Sequence, residues 1–153
     1  LKNPYTGILS IFSTQIKNGN DLNIFEDGLE SRDFVFIDDV VDATILGIEK
    51  EEADFEVFNV GSGKGTTVLE VAEFLKKYYQ SDINIKISGN FRLGDIRHNV
   101  ADLSKIENKL GFHAIVDFQS GIKQFAGCVN HQEIQEDHYA ESIQELKEKG
   151  LLK

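Results

Sequence analysis

Residues 56–79, EVFNVGSGKGTTVLEVAEFLKKYY, contain three consecutive local patterns that decide the fold class. Glu56–Val60 is rich in β-forming residues and predicts a strand, and Gly61–Gly65 predicts a loop. Thr67-Val68-Leu69-Glu70 has the pattern of a capping box, and the apolar spacing after it predicts a helix to about Tyr79. A strand, a loop and a helix in this order are typical of α/β proteins.

The sequence on either side continues this alternation of short strands and helices. Upstream, a turn at Glu26-Asp27-Gly28 separates two β-like runs, which form either a hairpin or two separate strands. Four or five short strands suit part of a sheet better than a whole one. The other predicted elements are helices over 3–19, 38–50, 102–111, 118–131 and 142–150 and strands over 22–25, 33–37 and 83–87, with Asp38 and Asp102 as helix caps.

Composition indicates one folded domain in a reducing compartment. The 153 residues suffice for a core without disulfides, and Cys128 is the single cysteine. We therefore predict a cytoplasmic location, and no apolar run is long enough to cross a membrane. A net charge of −10 argues against binding to nucleic acid or to an anionic membrane.

The glycine-rich loop after Val60 does not have the spacing of a phosphate-binding motif. Lys64 follows Gly63 directly and precedes another glycine, which differs from a P-loop, and Thr66 stands where a dinucleotide-binding loop has its third glycine. We predict a tight connection whose glycines permit positive φ.

The three arginines fall in two short segments that suit an anionic ligand. Arg32 offers a planar fork for a diphosphate, or it forms a surface pair with a nearby carboxylate. In the second segment Arg92 suits a phosphate and Asp95 a sugar hydroxyl, or the two form an exposed ion pair with each other.

Metal and acid–base chemistry are not indicated by the remaining polar residues. The four histidines lack the spacing of metal ligands, and no arrangement of Cys or carboxylates has metal spacing, so we predict no metal site. Asp38, Asp39 and Asp42 form an acidic cluster that we interpret as a solvated helix start.

Four segments in register resemble the second half of extended short-chain dehydrogenases that act on nucleotide sugars. The resemblance covers nearly the whole chain. The segments are Asn3-Pro4-Tyr5-Thr6-Gly7, residues 22–28 with 31–40, Phe58-Asn59-Val60-Gly61-Ser62-Gly63, and Arg92-Leu93-Gly94-Asp95-Ile96-Arg97.

The resemblance implies an α/β fold, the carboxyl-terminal part of a Rossmann-like enzyme, and a set of ligand contacts. Arg32 and Arg92 would bind the nucleotide diphosphate, and Asp95 the ribose or sugar. The segment before the Glu26-Asp27-Gly28 turn would face the nucleobase, and the first helix entrance the base or ribose. The substrate-binding residues implied are Asn23, Phe25, Arg32, Arg92, Asp95, Gly7 and Ile8.

The family's catalytic elements have no counterpart in this sequence. Its G-x-x-G-x-x-G loop for NAD, its Ser/Thr and its Tyr-x-x-x-Lys pair are all missing from residues 1–153. We therefore expect a single substrate-binding domain or fragment without the NAD-binding Rossmann half, inactive and without NAD by itself, whose intact parent uses NAD. We also expect an exposed apolar surface that allows self-association.

The resemblance implies NAD-dependent epimerisation of a UDP-hexose or UDP-N-acetylhexosamine in that parent, because the N-P-Y-x-G and G-D-I-R-H segments look most like those epimerases. A dehydratase or decarboxylase of the same family is the near alternative. Two further readings are a stand-alone, non-catalytic sugar-nucleotide-binding module and a domain that has no ligand.

Overall fold

The computed structural model describes residues 7–133 and 136–153. The described residues form helices and short strands, of which β1–β4 and β2–β5 pair in parallel, in agreement with the predicted α/β class. In chain order the elements are α1 (Ile8–Lys17), β1 (Leu22–Ile24), β2 (Ser31–Asp33), α2 (Ile37–Glu49), a 3₁₀ turn (Glu51–Ala53), β3 (Gly65–Thr67), α3 (Val68–Tyr78), β4 (Ile85–Ile87), β5 (His98–Asn99), α4 (Ser104–Leu110), α5 (Phe118–Asn130) and α6 (Tyr139–Glu148).

The chain divides into two compact units. The first contains the described residues up to Glu30, Thr67–Arg97 and the residues from Phe125 onwards, and the second contains Ser31–Thr66 and His98–Gln124. Among the described residues, no helix has the length and apolar character that a membrane span requires.

The first unit is built on a parallel pair of strands. β1 and β4 run side by side, with Leu22 opposite Ile85 and Ile24 opposite Ile87. Helices α1 and α3 pack on β1 and on each other. Their apolar faces and the strand side chains form the core, which includes Phe12, Ile16, Leu22, Ile24, Val71, Ala72 and Leu75.

The start of α3 and the end of α1 in the first unit lie where the sequence predicts them. Thr67 Oγ1 accepts a hydrogen bond from Glu70 N at 3.2 Å, and Thr67 N donates to the Glu70 carboxylate at 2.7 Å, which confirms the capping box. Helix α1 ends at Asn18, and Gly19 has a φ of 73°. The predicted helix start at Asn3-Pro4 lies outside the described residues.

The second unit combines a small sheet with a helical cluster. Strand β2 lies between β3 and β5, and it pairs with β5 in parallel, with Ser31 opposite His98. Gly111 has a φ of 66° and ends α4, as predicted. The core side chains belong to α2, α4 and the residues around α4, and they are Ala43, Leu103, Ile106, Leu110 and Phe112.

Two predicted strands are wrong in this unit. The strand predicted over 33–37 is observed at Ser31–Asp33, so it begins two residues earlier. Beyond it, the Phe34 ring lies 5.4 Å from the Phe118 ring, and Ile37 begins α2. Arg32 therefore lies within a strand. The two strands on either side of the Glu26-Asp27-Gly28 turn do not form a hairpin, because β1 and β2 belong to different sheets.

Glu56–Val60 is not a strand in the described structure. Instead of a β-ladder, its backbone accepts side-chain donors: Lys105 Nζ donates to Val57 O at 2.8 Å. The Val57 side chain is 82% exposed. The residues have β propensity, but a strand also needs a neighbouring strand with which to form a ladder, and no described strand pairs with this segment.

Two predicted helix caps are also wrong. Helix α2 begins at Ile37 after an N-cap Phe36 that has no side-chain cap, so Asp38 lies in the first turn. Helix α4 begins after Leu103, although the Asp102 carboxylate accepts a hydrogen bond from Ser104 N at 2.9 Å.

The acidic cluster is not uniformly solvated, because Asp39 is only 2% exposed. Its two carboxylate oxygens accept hydrogen bonds from Ile115 N at 2.9 Å and Val116 N at 3.2 Å. Asp39 therefore anchors the segment before α5, whereas Asp38 and Asp42 are exposed as predicted.

Candidate functional site

Most of the predicted ligand-binding residues lie where the chain leaves β1 and β4 in the first unit. Beyond the strands the two segments stay together, since Ser88 N donates to Ile24 O at 2.8 Å and Glu26 N donates to Asn90 O at 2.7 Å. This pairing brings Phe25 close to the segment that begins at Phe91.

Arg92 and Phe25 form the clearest contact of the predicted set. The Arg92 guanidinium carbon lies 5.2 Å from the centroid of the Phe25 ring, within the range of a cation–π contact. The Arg92 backbone is held by the end of the chain, with Phe91 N donating to Lys153 O at 2.8 Å and Lys153 N donating to Phe91 O at 3.0 Å. Arg92 is exposed, so it combines a fixed backbone with a cation that solvent can reach.

Tyr139 joins this cluster, although sequence analysis did not select it. Its hydroxyl donates to Asn23 O at 3.4 Å, across 116 residues of chain. Burial raises the pKa of Tyr139 above its ordinary value despite the opposing effect of the nearby Arg92 charge. The tyrosine therefore stays protonated at neutral pH and can act as a hydrogen-bond donor.

Asp95 follows Arg92 in an exposed turn. Asp95 N donates to Arg92 O at 3.3 Å, Gly94 has a φ of 81°, and the Asp95 carboxylate accepts from Ile96 N at 2.9 Å. Asp95 and Arg92 are both exposed on the first unit, three residues apart in sequence.

Gly7 and Ile8 lie at the start of α1. Gly7 is the N-cap residue and has an extended backbone without a side-chain cap, and Ile8 is the first helical residue. Gly7 is exposed and Ile8 is half-buried. Their predicted contact with a base or ribose stays a prediction.

Arg32 belongs to the second unit, in the middle of β2. Its Nη1 donates to Ser31 O at 2.9 Å, and the side chain is half-buried. The neighbouring Asp33 carboxylate is engaged elsewhere, with Ser62 N at 2.7 Å, Ser62 Oγ at 2.6 Å, Gly63 N at 3.0 Å and Ala101 N at 3.2 Å. Burial alone would raise the pKa of Asp33, but these hydrogen bonds outweigh it and lower the pKa.

The same contacts decide what the glycine loop can bind. Because the backbone N–H groups of Ser62 and Gly63 donate to Asp33, they are not free to hold a phosphate. Gly63 has a φ of 72°, as predicted, whereas Gly61 and Gly65 do not have a positive φ. The N–H groups of Ser62 and Gly63 in this loop are therefore already occupied within the chain.

Comparisons with known proteins agree with the motifs. Residues 2–61 match the NAD dependent epimerase/dehydratase family. The dTDP-L-rhamnose 4-epimerase of Burkholderia thailandensis is 36% identical over 122 residues, which are 80% of this chain and 33% of that protein.

Two solved structures share the fold. UDP-glucose 4-epimerase of Thermotoga maritima, solved with UDP-glucose, matches with a TM-score of 0.75 and 36% identity over 84% of this chain and 41% of that chain. UDP-N-acetylglucosamine 4-epimerase of Methanobrevibacter ruminantium M1, in complex with UDP-N-acetylmuramic acid, matches with a TM-score of 0.76 and 31% identity over 86% of this chain and 42% of that chain.

The fold and the four motifs define part of an extended short-chain dehydrogenase, as the resemblance implied. The chain belongs to the NAD-dependent epimerase/dehydratase family. It spans about a third of the length of these curated relatives.

Proposed function

We propose that this chain is the carboxyl-terminal, nucleotide-sugar-binding part of an NAD-dependent UDP-sugar 4-epimerase. The observation that carries the proposal is the exposed Arg92 guanidinium beside the Phe25 ring. A cation for the diphosphate next to an aromatic ring for the base is the pairing that a nucleoside diphosphate requires. The two solved relatives were crystallised with UDP-sugars, which supports this ligand class.

In this proposal the binding roles are divided among the predicted residues. Arg92 and Arg32 bind phosphate oxygens by charge-assisted hydrogen bonds, and Asp95 accepts a hydrogen bond from a sugar or ribose hydroxyl. Asn23 and Phe25 contact the base, and Gly7 with Ile8 contacts the base or ribose. Binding energy from the nucleotide then orients the sugar for reaction, which is the contribution of this part to catalysis.

Hydride and proton transfer lie outside this chain in the proposal. The chain has no Tyr-x-x-x-Lys pair, and its glycine loop does not fit NAD. We therefore expect no turnover of UDP-glucose or UDP-N-acetylglucosamine with added NAD. Product above that of a boiled control would contradict this expectation.

UDP binding tests the site. Calorimetric titration of the chain with UDP should give weak binding that Arg92→Ala or Arg32→Ala reduces about tenfold or more, because a hydrogen bond to a charged group contributes about 1.5–3 kcal/mol. Arg92→Lys should give an intermediate loss, since it keeps the charge but not the planar fork.

The control for these variants is Lys77→Ala, which removes an exposed cation from α3. It should leave UDP binding unchanged. If Arg92→Ala binds UDP as tightly as the unaltered chain, or if Lys77→Ala weakens binding equally, the assignment of the site is wrong.

The second unit has a surface that suits a protein partner. Four apolar side chains on one face of α2 are between 44% and 80% exposed: Ile37, Val41, Ile45 and Ile48. Their spacing of four, four and three residues places them on a single stripe of the helix. We propose that the remaining part of a full-length family member, the NAD-binding half, covers this α2 stripe, and that without it the stripe allows self-association.

A further inference from the structure

Three carboxylates converge in the first unit just after β1. They belong to Glu26, Asp27 and Glu30, and one oxygen from each lies within 4.8 Å of the other two. Glu26 and Asp27 are partly open to solvent, so an ion could reach the group. Acidic residues often cluster on surfaces without binding anything, so the cluster alone proves nothing about a ligand.

Glu30 supplies the second observation. It is only 6% exposed, and its Oε1 is fully buried without a hydrogen-bond partner in the described part of the chain. A buried acceptor that faces two more carboxylates is unusual unless a cation or donor completes its surroundings.

One cation already contacts part of the group. The two Arg97 terminal nitrogens lie 2.9 Å from Glu26 Oε2 and 2.6 Å from Asp27 Oδ2. The Arg97 side chain is 44% exposed in these contacts, and exposed ion pairs contribute little to stability. A single guanidinium also leaves three carboxylates with one positive charge among them.

We propose that Glu26, Asp27 and Glu30 form a binding site for a calcium ion. Carboxylate oxygens are the ligands that hard divalent cations prefer. Mg²⁺ demands near-ideal octahedral geometry and is usually held by one or two carboxylates, whereas Ca²⁺ accepts more oxygen ligands in a flexible geometry. Three carboxylates whose oxygens lie within 4.8 Å of one another therefore suit Ca²⁺, with water completing its shell. This site does not depend on the proposed nucleotide site.

Calcium would hold the Glu26-Asp27 turn and Glu30 in one arrangement. Asp27 Oδ1 accepts a hydrogen bond from Leu29 N at 3.0 Å, and Asp27 Oδ2 is the oxygen that Arg97 contacts. The ion and the Arg97 guanidinium therefore compete for the same carboxylates. Removing Arg97 should therefore strengthen Ca²⁺ binding, whereas removing one of the carboxylates should weaken it.

The experiment is a calorimetric titration of the 153-residue chain with CaCl₂ and, separately, with MgCl₂. A site with three protein carboxylates should bind Ca²⁺ with a Kd on the order of 10⁻⁴–10⁻³ M, and Mg²⁺ more weakly. Glu30→Gln should weaken Ca²⁺ binding about tenfold or more, and Arg97→Gln should strengthen it. Glu73→Gln, an exposed acid on α3, is the control and should change nothing.

Absence of a Ca²⁺-dependent heat in the unaltered chain would overturn the proposal. So would unchanged affinity in Glu30→Gln or weaker binding in Arg97→Gln, and equal binding of Mg²⁺ would overturn the choice of ion. If circular dichroism shows that Glu30→Gln does not fold, Asp27→Asn gives the same test at a residue that is 50% exposed.

Discussion

Gly61 lies where the chain passes close to the Asp33 carboxylate in the second unit. A Cβ on Gly61 would overlap Asp33 Oδ2 and would lie 2.7 Å from Ala101 Cβ. Gly61→Ala should therefore push the loop off Asp33 and lower the free energy of unfolding by about 1–3 kcal/mol, the usual cost of overpacking. Urea denaturation followed by circular dichroism measures this change.

Gly47→Ala is the matched control for that substitution. Gly47 lies within α2 with open space around its Cα, so alanine meets nothing there. Because alanine is the better helix former, the free energy of unfolding should rise by about 0.5–1 kcal/mol. Equal destabilisation by the two variants would contradict the close approach at Gly61.

Sequence analysis predicted the conformation of single residues correctly where neighbouring residues determine it. The positive φ of Gly63 and the end of α4 at Gly111 follow from neighbouring residues, and both were predicted. The partners of Asp33 and Asp39 could not be predicted, because they lie 29 to 77 residues away. Tyr139 was missed for the same reason: its bond to Asn23 O depends on how the chain returns to β1.

Helix α3 depends on its capping box, which gives a prediction at the scale of an element. Thr67→Ala removes the side-chain acceptor of Glu70 N and should lower the free energy of unfolding by about 1 kcal/mol. The thermal midpoint of unfolding should fall accordingly.

Thr44→Ala controls for the loss of a threonine hydroxyl from a helix. Thr44 Oγ1 donates to Val40 O at 2.8 Å in the exposed interior of α2, where it caps nothing. This variant should be neutral or slightly stabilising, since alanine has the higher helix propensity. A larger loss at Thr44 than at Thr67 would show that the cap is unimportant.

The segment after the 3₁₀ turn is tied to α4 by charge. Hydrogen bonds from Lys105 and Lys109 lower the pKa of Glu56 from 4.5 to about 2. Because the folded-state pKa is the lower one, the stabilisation is present above pH 4.5 and is lost as the pH falls towards about 2. Glu56→Gln should therefore lower stability at neutral pH and show no deficit near the acid end of this window.

Denaturation midpoints measured from pH 7 to pH 2 check this prediction, with Glu52→Gln of the adjacent 3₁₀ turn as the control. The Glu52 variant should follow the pH profile of the unaltered chain. A Glu56→Gln deficit that stays constant with pH would mean that Glu56 acts by packing and not by its charge.

Elements were predictable from sequence when their pattern was long or had a distinctive start. Helices α3 and α5 lie close to their predicted bounds, as do strands β1 and β4. Glu56–Val60 was wrong, because a strand requires a partner in addition to its own β-forming residues. Whether Arg32 and Arg92 bind one ligand stays a prediction for a related reason, since short motifs do not encode the distance between them.

The proposed association through the α2 stripe is a property of the whole molecule. Val41→Lys/Ile45→Lys places two charges on the stripe and should make the chain monomeric at concentrations where the unaltered chain self-associates. Asp42→Asn/Glu49→Gln changes the net charge by the same two units outside the stripe and should leave self-association intact. Sedimentation velocity across a concentration series distinguishes these cases, and a monomeric unaltered chain would contradict the prediction.

The Asp33 carboxylate has a consequence for how the second unit opens and closes. It accepts hydrogen bonds from the backbone N–H groups of Ser62, Gly63 and Ala101, which lie in two segments without a β-ladder of their own. Amide hydrogen exchange at these positions should therefore be as slow as in strand β2, although they lie in loops. The loops and the strand would then open to solvent together, as one cooperative unit held at a single carboxylate.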